Sequence, residues 1–185
     1  MHPWHDISPG DKIPEVVIAL IEIPKGSKGK YEIDKPTGLI KLDRVLYSSV
    51  HYPANYGFIP QTYHEDKDPL DILVISQIEL PPRCLVEAKV IGMMRMKDRN
   101  ELDDKIIAVA QQDIAVSYID SLDELPPHTT VEIKRFFQDY KILENRKIEV
   151  EEFFGKEKAY EVIRKNIENY SKYFGGKSHR SSLNE

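Results

Sequence analysis

Residues 16–46 read VVIALIEIPKGSKGKYEIDKPTGLIKLDRVL, and the placing of turn signals within them decides the fold class. Val16 to Ile23 is rich in strand-forming residues and ends at the turn Pro24-Lys25-Gly26. Lys30 to Asp34 then alternates, and Pro36-Thr37-Gly38 turns the chain back into Leu39 to Leu46. The pattern predicts a meander of antiparallel strands. Further strands are predicted over Ile72 to Ser76, Leu85 to Met94 and Lys105 to Ala110, with Pro81-Pro82 as a break. Beyond them the period becomes helical. Thr129 with Glu132 resembles a capping box, and Val131, Ile133, Phe136, Phe137 and Tyr140 recur at helical spacing, which predicts a helix over about 129–142. Lys156 to Phe174 repeats the pattern on one broad face and closes at Gly175-Gly176. Strands followed by segregated helices give an α+β domain, a closed or nearly closed sheet with helices against it.

The 185 residues contain no Pro/Gly/Ser-rich linker, so a single domain over 1–176 is expected. The polar, aperiodic KSHRSSLNE at 177–185 is expected to be a disordered tail. The single cysteine, Cys84, rules out an internal disulfide and fits a reducing compartment. The apolar run Val16 to Ile21 is too short to span a bilayer and lacks a signal-peptide layout, so a soluble, cytoplasmic protein with no membrane partner is expected. A net charge of −5 argues against a protein that coats nucleic acid.

HEDKDPLDILVIS, residues 64–76, places Asp66, Asp68 and Asp71 at the edge of a predicted core strand. Two carboxylates about 4 Å apart repel by about 4 kcal/mol at an effective dielectric of about 20, so three converging aspartates require a cation or must splay into water. On an extended chain Asp66 and Asp68 share a face, and Pro69 allows a turn that brings Asp71 beside them. A second acidic loop, MKDRNELDDK, carries Asp98, Glu101, Asp103 and Asp104. Solvated acidic loops are common, and two of them in one small domain weigh against a purely solvent role for both. Glu22 lies inside an apolar strand, where a carboxylate is costly unless paired or bound to a metal. Lys30, Glu32 and Arg44 suit cross-strand ion pairing as well as ligand binding. Tyr52 and Tyr56 bracket Pro53 and Asn55, where aromatic residues commonly serve the core. Tyr140 and Lys141 end the first predicted helix, with Lys147 a few residues on, and a helix C-terminus attracts cations on its own account.

A calcium loop beginning at Asp66 is excluded by Leu70, Asp71 and Gln77 at its fifth, sixth and twelfth positions. An oligonucleotide-binding barrel with tyrosines as stacking platforms is opposed by the acidic site residues. A magnesium-dependent phosphohydrolase acting on nucleotides or organic diphosphates is a nearer alternative, although no nucleoside pocket is identifiable.

Taken in order, VIALIEIP, KYEIDKPTGLIKLDR, YPANYGFIP, DKDPLDILV, MKDRNELDDK and FFQDYKILENRK resemble a family I soluble inorganic pyrophosphatase of the short prokaryotic type, from about Asp11 to Phe174. Lys67 departs from the family's small or polar residue at that position, and Ile148 stands where a tryptophan often follows the lysine. The resemblance implies hydrolysis of pyrophosphate to two orthophosphates by metal-activated water attack, with several Mg²⁺ ions per site and a homohexamer of two stacked trimers. An aspartate-rich site suits a hard, oxygen-seeking ion. The expected fold is a small closed, distorted antiparallel β-barrel, OB-like, with two main helices packed against it. The resemblance implies Glu32, Asp66, Asp71, Asp98 and Asp103 as metal ligands and Asp68 as general base. Tyr56 is implied beside the nucleophile, with Lys30, Arg44, Lys105, Tyr140 and Lys141 on the phosphates. Glu22, Tyr52 and Lys147 are assigned to the supporting shell.

Overall fold

The computed structural model describes residues 1–98, 101–146 and 148–175; the expected tail, Gly176 and Lys147 lie outside the described residues. Strand β1 (Val16–Ile23) has both edges occupied by distant partners rather than by the next strand in sequence. Its last residues pair with β4 (Asn55–Phe58), and its first five pair with the start of β6 (Leu85–Asp98). β4 continues to β5 (Asp71–Ile75), β5 to β7 (Glu101–Ala110), and β7 back to β6. The ring β1-β4-β5-β7-β6 therefore closes on itself, which removes free sheet edges. β8 (Ile148–Gly155) extends the sheet on the second half of β6. β2 (Gly29–Ile33) and β3 (Ile40–Val45) form a hairpin that stands as a separate two-stranded sheet. The predicted meander is thus corrected: β1 does not pair with the β2–β3 hairpin, because β4 and β6 already satisfy its backbone. One pairing in the ring, β5 with β7, is parallel.

Both faces of the ring are buried, so its central strands read as continuous apolar runs. On β7, Ile106 and Ala108 join one core with Val162 and Ile163 of α2 (Lys156–Phe174). Ile107 and Val109 face the other core, with Ile133, Phe136 and Phe137 of α1 (Pro127–Asp139). α1 begins earlier than the sequence pattern suggests, and the capping box does not form. Pro126 is the N-cap, without a side-chain bond, and Thr129 lies within the helix. Pro127 at the first helical position has no N–H to satisfy and a preset φ, so the side-chain cap is dispensable. Among the described residues no helix is long and apolar enough to cross a membrane.

β4 and β8 are the strands the pattern did not predict. β4 has only four residues, all buried, too few to display a period. Gly57 is required there, since a Cβ would stand 1.9 Å from the Leu20 carbonyl oxygen of β1. β6 and β7 are also longer than predicted and carry the second acidic stretch, which is therefore largely strand rather than loop.

Candidate active site

Period-two alternation sorts the acidic residues of β7 between two faces. Asp103 and Lys105 lie on the face shared with Ile107, at the end of the core that α1 covers. Asp104 points the other way, where Arg95 of β6 donates to both its carboxylate oxygens at 2.7 Å. The parallel register of β5 sets Asp71 directly opposite Lys105. The Lys105 ammonium bonds both Asp71 and Asp103 and is only 3% exposed. Burial alone would pull its pKa down, but Asp103 and Asp71 outweigh burial and hold it well above the ordinary lysine range. The Tyr56 hydroxyl, brought in by β4, donates to Asp71 at 2.5 Å. Burial, then the Asp71 charge, pushes that phenol well above its usual range.

Residues 64–68 form a tight turn rather than the extended run expected. The Asp68 N–H donates to Asp66 Oδ1 at 3.1 Å, and the His64 N–H donates to the Asp68 carbonyl at 2.8 Å. Asp66, Asp68 and Asp71 nevertheless all face one cavity. Burial and neighbouring Asp71 raise the Asp66 carboxyl to about 6. Lys67 occupies the left-handed position of this turn, at φ 68°, with its residue exposed. Such a position favours glycine or asparagine, which accounts physically for the small or polar residue expected there. Lys67→Gly is expected to raise unfolding free energy by up to about 1 kcal/mol in urea titrations, the relief of left-handed strain exceeding glycine's entropic cost. A loss of stability would mean that the lysine side chain itself supports the turn.

The pairing of β1 with β4 slips register between Ile21 and Ile23, and the irregularity turns Glu22 into the cavity. Glu22 is 8% exposed and accepts the Ile33 N–H at 2.6 Å. Burial raises its carboxyl from 4.5 to about 8, despite that hydrogen bond. The folded state therefore binds a proton that the unfolded state has lost between those two pH values. Metal-free protein is expected to lose thermal stability as pH rises from about 4.5 towards about 8. Glu22→Gln, which keeps the acceptor oxygen without the charge, is expected to flatten that slope in melting curves recorded across the same range. An unchanged slope would assign the pH dependence to other groups.

The opposite wall of the cavity is formed where α1 ends. Tyr140 and Lys141 line it with Arg146, which the sequence reading did not single out. The Lys141 ammonium donates to Asp98 Oδ2 at 2.8 Å, and Arg146 pairs with the same oxygen. Burial, outweighed by these two cations, leaves Asp98 below the ordinary aspartate range. Lys30 and Glu32 of β2 line a third side, with the Lys30 ammonium 2.9 Å from Asp43 and 3.3 Å from Glu32.

Tyr52, expected in the supporting shell, and Arg44, expected on the phosphates, both stand behind the cavity, whereas Glu22, also expected in the shell, lines it. Tyr52 packs against the Tyr56 ring at 5.5 Å between centroids. Arg44 donates through Nε to Glu144 at 2.7 Å and through Nη1 to Asp43, the carboxylate it shares with Lys30. Trp4, Lys35 and Pro36 also line the space, which measures ≈ 590 Å³. Their approach depends on the N-terminal segment folding beside the β2–β3 hairpin, a tertiary placement without a local sequence signal. Among the described residues, three buried side-chain polar atoms have no hydrogen-bond partner: Arg44 Nη2, Arg146 Nε and Asp98 Oδ1. The site is therefore rich in both charges, and its unsatisfied atoms include anion-seeking donors and a cation-seeking acceptor.

A family model described as inorganic pyrophosphatase matches residues 19–171. A soluble inorganic pyrophosphatase 2 of Chlamydomonas reinhardtii is 50% identical over 173 residues, 94% of this chain and 90% of the relative. A soluble inorganic pyrophosphatase 4 of Arabidopsis thaliana is 51% identical over 172 residues, 93% of this chain and 80% of the relative. Among solved structures, the inorganic pyrophosphatase of Thermus thermophilus superposes with a TM-score of 0.88 at 40% identity, covering 91% of this chain and 99% of that one. That of Helicobacter pylori gives 0.82 at 41% identity, over 85% and 94%. With the family model spanning most of the barrel and both helices, and relatives at half identity over nearly the whole chain, this protein belongs to the inorganic pyrophosphatase family.

Proposed function

We propose that the protein hydrolyses inorganic pyrophosphate to two orthophosphates, with water as the attacking group and divalent metal, Mg²⁺, as cofactor. The observation that carries this reading is the lining of one cavity by Asp66, Asp68, Asp71 and Asp103 together with Lys30, Lys105, Lys141 and Arg146. A compact polyanion needs cations on its phosphates and a base for water, and that lining supplies both.

The residues fit a hard divalent ion by donor chemistry. The acidic donors on the cavity are carboxylates, and Asp98 Oδ1 is buried without a partner. Among the described residues no three acidic, His or Cys side chains stand already gathered for an ion. The reason is visible in the ion pairs: Lys105 holds Asp71 and Asp103, Lys35 holds Asp68, and Lys141 with Arg146 holds Asp98. Asp66, Asp71 and Asp103 are the ligands proposed for a first ion, with Asp71 shared by a second. Asp98 and Asp103 are proposed for an ion that enters with substrate, and Glu32 for a further one. Bound Mg²⁺ supplies charge neutralisation and acidifies the attacking water.

Asp68 is the proposed general base, taking the proton of the water whose oxygen bonds one phosphorus as the bridging P–O bond breaks. Lys30, Lys105, Tyr140 and Lys141 are proposed to hold the phosphate oxygens and the charge that develops on the departing phosphate, with Arg44, set one layer back, contributing through its unpaired Nη2. Tyr56 orients the site through its bond to Asp71. Glu22 and Tyr52 are proposed to support the cavity; Lys147, assigned the same role, lies outside the described residues. Comparing phosphate release from pyrophosphate, ATP and an alkyl phosphate with Mg²⁺ tests the substrate assignment. Fast release from pyrophosphate alone supports it, and equal or greater turnover of ATP would redirect the site to nucleotides.

Cytoplasmic residence and a homohexamer complete the proposal. Exposed Leu42 and Val45 on β3, with Ile142 and Leu143 after α1, leave apolar surface that assembly would cover. Sedimentation at micromolar concentration is expected to give a hexamer, and a monomer there would remove this part of the reading.

A further inference from the structure

We propose that Lys35 is a phosphate-binding and positioning residue, which holds Asp68 in the resting protein and passes its ammonium to a phosphate oxygen when substrate enters. The inference rests on the reading of the cavity as a pyrophosphate site. Lys35 sits at the tip of the β2–β3 hairpin, which contributes Asp34, Lys35 and Pro36 to the cavity wall. Its ammonium pairs with Asp68 and lies 5.8 Å from the Trp4 ring centroid.

The backbone beneath this side chain is pinned by the N-terminal segment. His2 Nε2 donates to the Lys35 carbonyl at 2.7 Å. A Cβ on Gly38, at φ +69°, would stand 2.9 Å from Pro3 Cδ, so the hairpin tip and that segment are in close contact. Trp4 is anchored in turn: its indole N–H donates to the Thr62 carbonyl at 2.9 Å, and the Gln61 N–H donates to the Trp4 carbonyl at 2.9 Å. Only the Lys35 side chain therefore has to move.

The pair is built to exchange. The side chains of Lys35 and Asp68 are 55% and 48% exposed, against 3% for Lys105 and 11% for Lys141. A solvent-exposed ion pair is weak, and a phosphate bearing several negative charges competes for the ammonium effectively. Asp68 is then relieved of its counter-ion at the moment a water needs a proton acceptor. Trp4 remains as a seat beside the moving ammonium, and it is the chain's single tryptophan.

That single tryptophan makes the exchange measurable without turnover. Wild type, Lys35→Gln and Lys35→Arg would be titrated with methylenediphosphonate, which resists hydrolysis, in Mg²⁺, with Trp4 emission recorded. Wild type and Lys35→Arg are expected to show a saturable change that Lys35→Gln lacks. Lys35→Gln should also weaken analogue binding, and raise KM for pyrophosphate, roughly three- to tenfold, with a smaller effect on kcat. Wild-type affinity in Lys35→Gln, or an emission change equal to that of wild type, overturns the proposal. A wild type that gives the Lys35-dependent signal but releases no phosphate from pyrophosphate would count against the hydrolytic reading while supporting Lys35 as a diphosphonate contact.

Discussion

Asp68→Asn is expected to lower kcat for pyrophosphate hydrolysis by about 10²- to 10⁴-fold, the usual contribution of a positioned general base. Asparagine keeps the shape of the side chain and can still accept a hydrogen bond, but it cannot take up the proton of water. The substitution costs little in folding, because Asp68 is half exposed and its ion pair with Lys35 is a surface pair. Stability within about 0.5 kcal/mol of wild type, measured in urea, would separate a chemical defect from a structural one. Retention of wild-type kcat would move the base to another carboxylate on the cavity.

The second large effect concerns the buried ammonium of Lys105. Lys105→Met keeps most of the apolar stem, which lies 5.6 Å from the Tyr56 ring centroid and 5.9 Å from that of Phe137 at the ammonium end. It leaves Asp71 and Asp103, 24% and 17% exposed, facing each other without their shared cation. Removing one member of a buried ionic cluster costs about 3–5 kcal/mol, so metal-free Lys105→Met is expected to melt far below wild type. Mg²⁺ should restore more stability to the variant than it adds to wild type, because the ion enters carboxylates that no longer have an internal competitor. Identical melting of both proteins in chelator would mean that the two aspartates do not depend on Lys105.

These two residues also mark how far the sequence could be read. The acidic strings, the turn signals of residues 16–46 and the helical period of α2 are local, and each predicted an element or a cavity residue. The pairing of β1 with β4 and β6 is not local. No spacing in the chain announces a partner more than 30 residues away, and so the meander expectation fails where the ring closes. Strand alternation could have separated Asp103 from Asp104, but only once β7 was known to begin at Glu101.

The contributions of Trp4, Lys35 and Arg146 were illegible for a different reason. Each reaches the cavity from a segment without a regular period: the N-terminal strap, a hairpin tip, and the residue after Asn145, which is left-handed at φ 56°. Arg44 carries the opposite lesson. Its motif implied a place on the phosphates, and the structure sets it one layer behind the cavity wall, where it still offers a buried, unpaired Nη2.

The central claim is that this mixed cavity hydrolyses pyrophosphate with Mg²⁺. Its most direct test is orthophosphate release from pyrophosphate by the chelator-stripped protein before and after Mg²⁺ is returned. The account predicts negligible release without metal and rapid release of two orthophosphates per pyrophosphate once Mg²⁺ is present. Folded protein that binds Mg²⁺ and leaves pyrophosphate intact would contradict it.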